Sequence, residues 1–459
     1  MRQVVDADYL VVGAGAMGMA FTDALVDHDE RARVVMVDRR HGVGGHWLEA
    51  YPFVRLHQSS SFYGVASTRL GGGRLQQRGP EVGLQERAAQ PEICAYYAGV
   101  LERLVDSGRV ELLPNSEYLG DHTVVSHVSG RRYEVGPACR VVDARYLAPS
   151  IPAETPPPFA VADDARVVPV NALARLEDAP SQYVVVGSGK TATDACIWLL
   201  SRGVDPDAVC WVRPRDPWML NRAVVQPDPG VYLGTSADIL QAAHEAGSLD
   251  DFFLRLEDAG VLLRIDREVR PTMAKVPTLA TWELEQLRTI EDVVRRGHVR
   301  SVERGRLVLD DGSVAVADDA VVVHCAADGL KNPPLVPVWR PESITLQPVR
   351  TGFPCFGAAL TGYVEATRDD DTEKNRVCRP SYYGNSLQQW AGMNHVGLRN
   401  TLTFSAEPDI AEWLRGVALN PTRVPPGYAG SALLDDARER FAAHTDRGLA
   451  ALARLSASA

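Results

Sequence analysis

Two glycine-spaced turns carry the chemistry that can be read from this chain. The first, Tyr9-Leu-Val-Val-Gly13-Ala-Gly15-Ala-Met-Gly18, is an apolar strand that turns through glycines straight into an amphipathic helix. Gly13 permits the tight turn, Gly15 lets backbone amides approach a pyrophosphate, and Gly18 lets the helix lie close on the strand with the anion at its N-terminus. A following strand over 33–38 ends in Asp38, 20 residues past Gly18. At that separation an acid reaches the ribose hydroxyls of a bound dinucleotide. The second turn, Gly187-Ser188-Gly189-Lys190-Thr191-Ala192, follows the strand 183–186 and opens a helix over 193–202 that Gly203 closes. Alanine is a permitted third member of such a turn. A P-loop would need glycine five positions before Gly189, and Val184 stands there inside the strand.

The two turns differ at the end of the next strand. At the offset where the first carries Asp38, the second carries Val212, followed by Arg213-Pro-Arg215. An acid there repels the 2′-phosphate of NADP, whereas a guanidinium binds it with charge-assisted hydrogen bonds. The second site is therefore predicted to prefer NADPH. Arginine makes up 44 of the 48 basic residues, which keeps open the plainer reading of Arg213 and Arg215 as solvated surface charges. Lys190 stands where a cation meets the pyrophosphate, or where a helix start is simply solvated.

These turns need large α/β domains to hold them, and the chain is long enough: 459 residues, 45% apolar and 23% charged. A net charge of −11 argues against a nucleic-acid surface and gives no membrane-surface signal. No apolar run approaches the roughly 20 residues of a membrane span, and the N-terminus enters the first strand without a signal peptide, so a cytoplasmic protein is expected. The seven cysteines contain no C-x-x-C pair, and no metal-ligand cluster is apparent. They are expected to be reduced and mostly buried.

Between the turns, residues 39–47 (Arg39-Arg-His-Gly-Val-Gly-Gly45-His46-Trp47) form a bare loop that can pass close to something flat, and 51–63, containing His57, read as a pocket wall. Residues 70–89 read as a loop and 91–106 as a helix. Residues 109–147 read as a β-meander and 148–158 as a proline-rich linker. Further on are a loop over 216–222, helical runs over 236–246, 249–259 and 282–295, strands over 299–325, a helix over 358–366, and amphipathic helices from about 383. The longest of these, 433–455, packs on the core or forms a homo-oligomer contact.

Taken together, the first turn, the acid closing the second strand, Gly44-Gly45-His46-Trp47 and Tyr51-Pro-Phe-Val-Arg-Leu-His57 resemble flavin-containing monooxygenases, the class B flavoprotein monooxygenases. The resemblance implies FAD on the first turn and the G-G-x-W stretch beside the ribityl chain and isoalloxazine. Gly13, Gly15, Gly18, Asp38, Arg39, Gly45, His46, Trp47 and His57 are then the flavin-side candidates. Gly187, Ser188, Gly189, Lys190, Thr191, Arg213 and Arg215 are those for NADPH. Gln347 to Gly357 resembles the segment that returns to the flavin. Two departures mark a divergent branch: Phe159 to Arg166 lacks the glycine and histidine of F-x-G-x-x-x-H, and Cys325-Ala-Ala-Asp-Gly329 replaces A-T-G. The implied reaction is hydride transfer from NADPH to flavin, O2 addition to give a C4a-hydroperoxyflavin, and oxygenation of a small organic substrate. No catalytic side chain is assigned. An FAD-dependent reductase or oxidase, and a non-catalytic FAD-binding redox partner, are the rival readings.

The expected fold is α/β, with two Rossmann-like dinucleotide-binding domains and a helical C-terminal region. The FAD domain occupies 1–150 and 316–400, a linker 151–165, the NAD(P) domain 166–315, and the helical region 401–459.

Overall fold

The computed structural model describes residues 2–457 apart from Asp328 and Ala429, so one position of the 325–329 stretch lies outside the described residues. Two mainly parallel sheets dominate. In the first, Tyr9–Val12 lies between Val34–Val37 and Arg140–Asp143, with Val110–Leu113 outside the former and Ser343–Thr345 outside the latter, all parallel. Trp339–Arg340 closes its far edge antiparallel. The second sheet has the order Arg166–Pro169, Val321–His324, Tyr183–Val186, Val209–Val212, Val293–Val294, parallel throughout. Every residue of Val34–Val37, Tyr183–Val186, Val209–Val212 and Val321–His324 is buried, which explains their unbroken apolar runs. The second sheet falls, in sequence, entirely inside the first.

Several sequence expectations change. Val321–His324 is an inner strand of the second sheet, so the chain returns to the first sheet only at Trp339, not at 316. The 109–147 stretch is shared: its ends, Val110–Leu113 and Arg140–Asp143, belong to the first sheet, and only 116–120, 123–126 and 132–135 form a separate sheet, joined by Arg2–Val5. Short alternating runs do not announce which sheet will accept them. Pro217–Asn221 is a strand rather than a loop, paired with Leu262–Arg264 and Met273–Leu279. The helix expected over 282–295 stops at Leu287, because Val293–Val294 serves as an edge strand beside Trp211 and Val212.

Helix Ala16–His28 packs along Pro354–Thr367 at a glycine contact, where a Cβ on Gly362 would lie 2.4 Å from the Phe21 carbonyl oxygen. The long C-terminal helix, Ala432–Ala457, lies along Pro229–Glu245 by the same device: a Cβ on Gly448 would meet the Leu240 carbonyl oxygen at 2.6 Å. Its apolar face is thus spent on its own chain. All seven cysteines are free and all but Cys94 are buried. Among the described residues no helix is long and apolar enough to cross a membrane.

Candidate functional site

At the first turn Gly13 has φ +107°, a backbone open to glycine, and a Cβ on Gly18 would sit 2.0 Å from the Gly13 carbonyl oxygen. Helix Ala16–His28 begins at Gly15 with no side-chain cap, leaving its first amides available to an anion. Gly45 crosses this helix start so closely that its Cβ would be 3.0 Å from the Gly15 Cα, and the Gly44 amide donates to the Ala14 carbonyl at 3.0 Å. The bare 42–45 loop and the first turn thus form one cradle. Asp38 is buried and accepts from the Ala14 amide at 2.8 Å, which fixes the carboxylate beside the turn. The exposed guanidinium of Arg39 binds Glu154 at 2.6 Å, and Arg40 pairs with the same carboxylate at 2.7 Å.

Residues 45–49 form a 3₁₀ turn that buries Trp47, whose indole N–H donates to the Tyr63 hydroxyl at 2.6 Å. His46 and His57 are both neutral. Burial and the nearby Arg40 push His46 down to about 4, and burial with the Lys190, Arg222 and Arg87 cations pushes His57 down to about 3. The Thr278 amide donates to His57 Nδ1 at 3.3 Å, which leaves the ring proton on Nε2 as a donor.

The second turn repeats the geometry. Gly187 has φ +136°, and helix Lys190–Ser201 starts uncapped at Gly189, whose Cβ would meet nothing within 4 Å. Ser188 is buried and Thr191 half-buried at this start. Lys190 does not project freely: it pairs with Asp194 and lies 3.5 Å from Glu283. Arg213 is no surface charge. It is 2% exposed, stacks on Trp211 at 4.5 Å and pairs with Asp216 at 3.3 Å, while its Nε and Nη1 have no acceptor among the described residues. Buried guanidinium donors without a partner at the end of this strand suit a missing anion. Arg215 is exposed.

The sequence did not point to a buried charge cluster between the two turns. Arg222 donates to Glu81, to Glu283 at 2.7 Å and to the His57 carbonyl at 2.8 Å. Arg87 pairs with Glu81 at 2.8 Å, and these neighbours hold the Glu81 carboxyl down at about 2 despite its burial. Tyr51 donates to Asp194 at 2.7 Å, so the loop beside the first turn touches the opening turn of the second helix. Tyr51 and Tyr63 lie in the stretch read as a pocket wall. Arg222 and Glu283, 61 residues apart, carried no sequence mark.

Three comparisons bear on this geometry. The model described as an NAD(P)-binding Rossmann-like domain matches residues 11–52. The uncharacterized protein Rv2000 of Mycobacterium tuberculosis is 44% identical over 422 residues, covering 91% of this chain and 78% of that protein. The chain belongs to the Rv2000 family. Among solved structures, this Rv2000-family chain is similar to cyclohexanone monooxygenase from Rhodococcus sp. Phi1 bound to NADP+ (16% identity, TM-score 0.47, 98% and 99% of the two chains). It is also similar to bacillithiol disulfide reductase from Bacillus cereus (11%, 0.48, 80% and 100%). At these identities and scores the likenesses assign no activity.

The depressed histidines set a pH window. Each has an ordinary value of 6.5 in the unfolded chain, so above pH 6.5 both states are neutral and nothing is lost. Below it the unfolded chain takes up protons that the folded chain refuses, and stability falls until pH reaches about 4 for His46 and about 3 for His57. Between pH 6.5 and 5 the loss is up to about 2 kcal/mol per histidine. Urea unfolding across this range should show the decline, and His57→Asn should reduce it by about half, leaving the His46 share. An identical slope in the variant would refute the assignment.

Proposed function

We propose that the protein is an FAD-dependent oxidoreductase that is reduced by NADPH and uses O2 to oxygenate a small organic molecule. The observation that carries the reading is the Tyr51–Asp194 contact, because it joins the loop beside the first turn to the opening turn of the second helix, an adjacency that suits electron transfer from one dinucleotide to another. The residues present suit both groups: the Gly13–Gly18 cradle with buried Asp38 for FAD, and the uncapped Gly189 start with the acceptor-poor Arg213 for NADPH.

A bound flavin would supply the redox chemistry, accepting hydride and, once reduced, reacting with O2. The chain's own part is positioning. Trp47 and Tyr63 wall the site with a satisfied polar contact, which keeps water out at low cost. His57, held by Thr278 and Arg222, presents a neutral Nε2–H donor whose orientation cannot drift. The fixed cations Arg222, Arg87 and Lys190 are matched by Glu81, Glu283 and Asp194, so the region between the two sites carries no net charge.

The test is an anaerobic titration of FAD-loaded protein with NADPH and with NADH, followed at the flavin absorbance, then exposure to air. Bleaching by NADPH at far lower concentration than by NADH, followed by a transient near-ultraviolet band on aeration, is expected. Bleaching without coupled substrate oxygenation would instead indicate a reductase or oxidase, and FAD that no nicotinamide bleaches would indicate a non-catalytic redox partner. Arg215→Ser should raise the NADPH concentration for half-bleaching by about tenfold and leave NADH unchanged, the loss of one charge-assisted phosphate contact. Equal effects on both nucleotides would remove Arg215 from the 2′-phosphate site.

A further inference from the structure

A cavity lies away from both turns, between the helices Pro229–Glu245 and Leu387–Ser405 and the segment Arg350–Phe353. None of residues 13–18, 38–47, 187–192 or 213–215 lines it, so it is not part of either dinucleotide cradle. Its walls are mostly apolar, formed by side chains such as Ile239, Val276 and Trp390. Arg350 is its one charged lining residue among the described residues.

Arg350 is 5% exposed and has no carboxylate partner among the described residues. It lies 5.3 Å from the Tyr232 ring centre, 5.9 Å from Phe353 and 5.6 Å from Phe356, and its Nη1 donates to the Asn420 carbonyl oxygen at 3.1 Å. Tyr232 is also a side-chain hydrogen-bond partner of this guanidinium. Aromatic faces, a phenol and an amide oxygen only partly replace lost hydration, and a guanidinium buried without an anion is costly. Among the described residues the other arginines buried this deeply, Arg213 and Arg222, each have a carboxylate. A second polar group faces the same space: Gln58 is 5% exposed and lines the cavity, and no hydrogen bond to its side-chain amide is seen among the described residues. Asn394, 8% exposed, gives its amide N–H to the Trp390 carbonyl. The uncapped start of helix Pro354–Thr367 adds positive partial charge at the same end.

We propose that this cavity is the substrate site and that it takes a small molecule with an apolar body and a carboxylate, the carboxylate received by Arg350 and Gln58. The apolar walls accept the body of the molecule. Gln58 adjoins His57, which connects this pocket to the candidate flavin site. Only the word substrate rests on the flavoenzyme reading; the carboxylate preference rests on the cavity alone.

The experiment is isothermal titration calorimetry of the full chain, with and without added FAD, using 3-phenylpropionate and its uncharged near-isostere 3-phenylpropionamide. The acid is expected to bind at least tenfold more tightly than the amide. Arg350→Met should abolish that preference with amide binding unchanged. Gln58→Leu, which removes no charge from the fold, should weaken the acid at least threefold and covers the case in which Arg350→Met unfolds. Equal binding of acid and amide, binding of neither at millimolar concentration, or an acid affinity that both variants leave intact would overturn the proposal. FAD uptake, read from the absorbance of the same samples, is scored separately: acid preference without FAD binding defeats the flavoenzyme reading alone, and FAD binding without acid preference defeats the subsite alone.

Discussion

Replacing Arg222 with leucine is expected to destabilise the protein by about 3–5 kcal/mol, because it leaves carboxylates buried without their cation. Arg222 is fully buried, and its donors are taken by Glu81, Glu283, the His57 carbonyl and both oxygens of Thr278. Glu81 and Glu283 are 5% and 4% exposed in their side chains, so water cannot substitute. Arg87 and Lys190 remain as partial partners for the two acids, which puts the lower end of the range within reach. Urea unfolding at pH 7 measures the loss. Adding Glu81→Gln to Arg222→Leu should recover part of it, since one uncompensated charge is gone. Additive losses in the double variant would show that the cost comes from packing and not from the stranded charge. The same substitution should loosen His57, whose carbonyl and ring nitrogen are both held from this side of the cluster.

The second large effect is expected at Gly18. A methyl group there meets the Gly13 carbonyl oxygen at 2.0 Å, a backbone atom with no rotamer to escape into. Gly18→Ala must therefore push the helix start away from the strand and open the turn whose amides are proposed to bind the pyrophosphate. FAD affinity should fall at least 100-fold, about 2.7 kcal/mol, and the protein should purify colourless. Gly189→Ala is the matched contrast, because a Cβ at that position meets nothing within 4 Å. It should fold normally and keep FAD, with its loss confined to NADPH. Retention of FAD at wild-type affinity by Gly18→Ala would remove the first turn from the flavin site.

The two glycine turns were legible because their demands are local. A positive φ at Gly13 and Gly187, and a helix that must start within a few residues of a buried strand, are consequences of neighbours in the chain. The same holds for Asp38, whose offset from the turn is fixed by one helix and one strand. Roles that depend on what faces a residue were not legible. The sequence reads Arg39 on the flavin side, and it gives no sign that Glu154, from a proline-rich segment 115 residues away, is its ion-pair partner. Lys190 reads from the sequence either as meeting a pyrophosphate or as solvated at a helix start, and its pairing with Asp194 and Glu283 is visible only in the fold. Arg213 was left open as a surface charge and is enclosed between Trp211 and Asp216.

From the sequence alone came the α/β class, two dinucleotide-type turns and the interruption of one unit by the other, since glycine spacing and apolar runs of strand length are short-range signals. Tertiary structure alone decided three things. It divided residues 109–147 between two sheets, made Val321–His324 an inner strand of the second, and assembled Arg222 with its acids and Arg350 without one among the described residues. Parallel pairing and the desolvation of buried charge join residues tens to hundreds of positions apart with no period. Only the packed chain shows which cation has met its anion and which still faces a cavity.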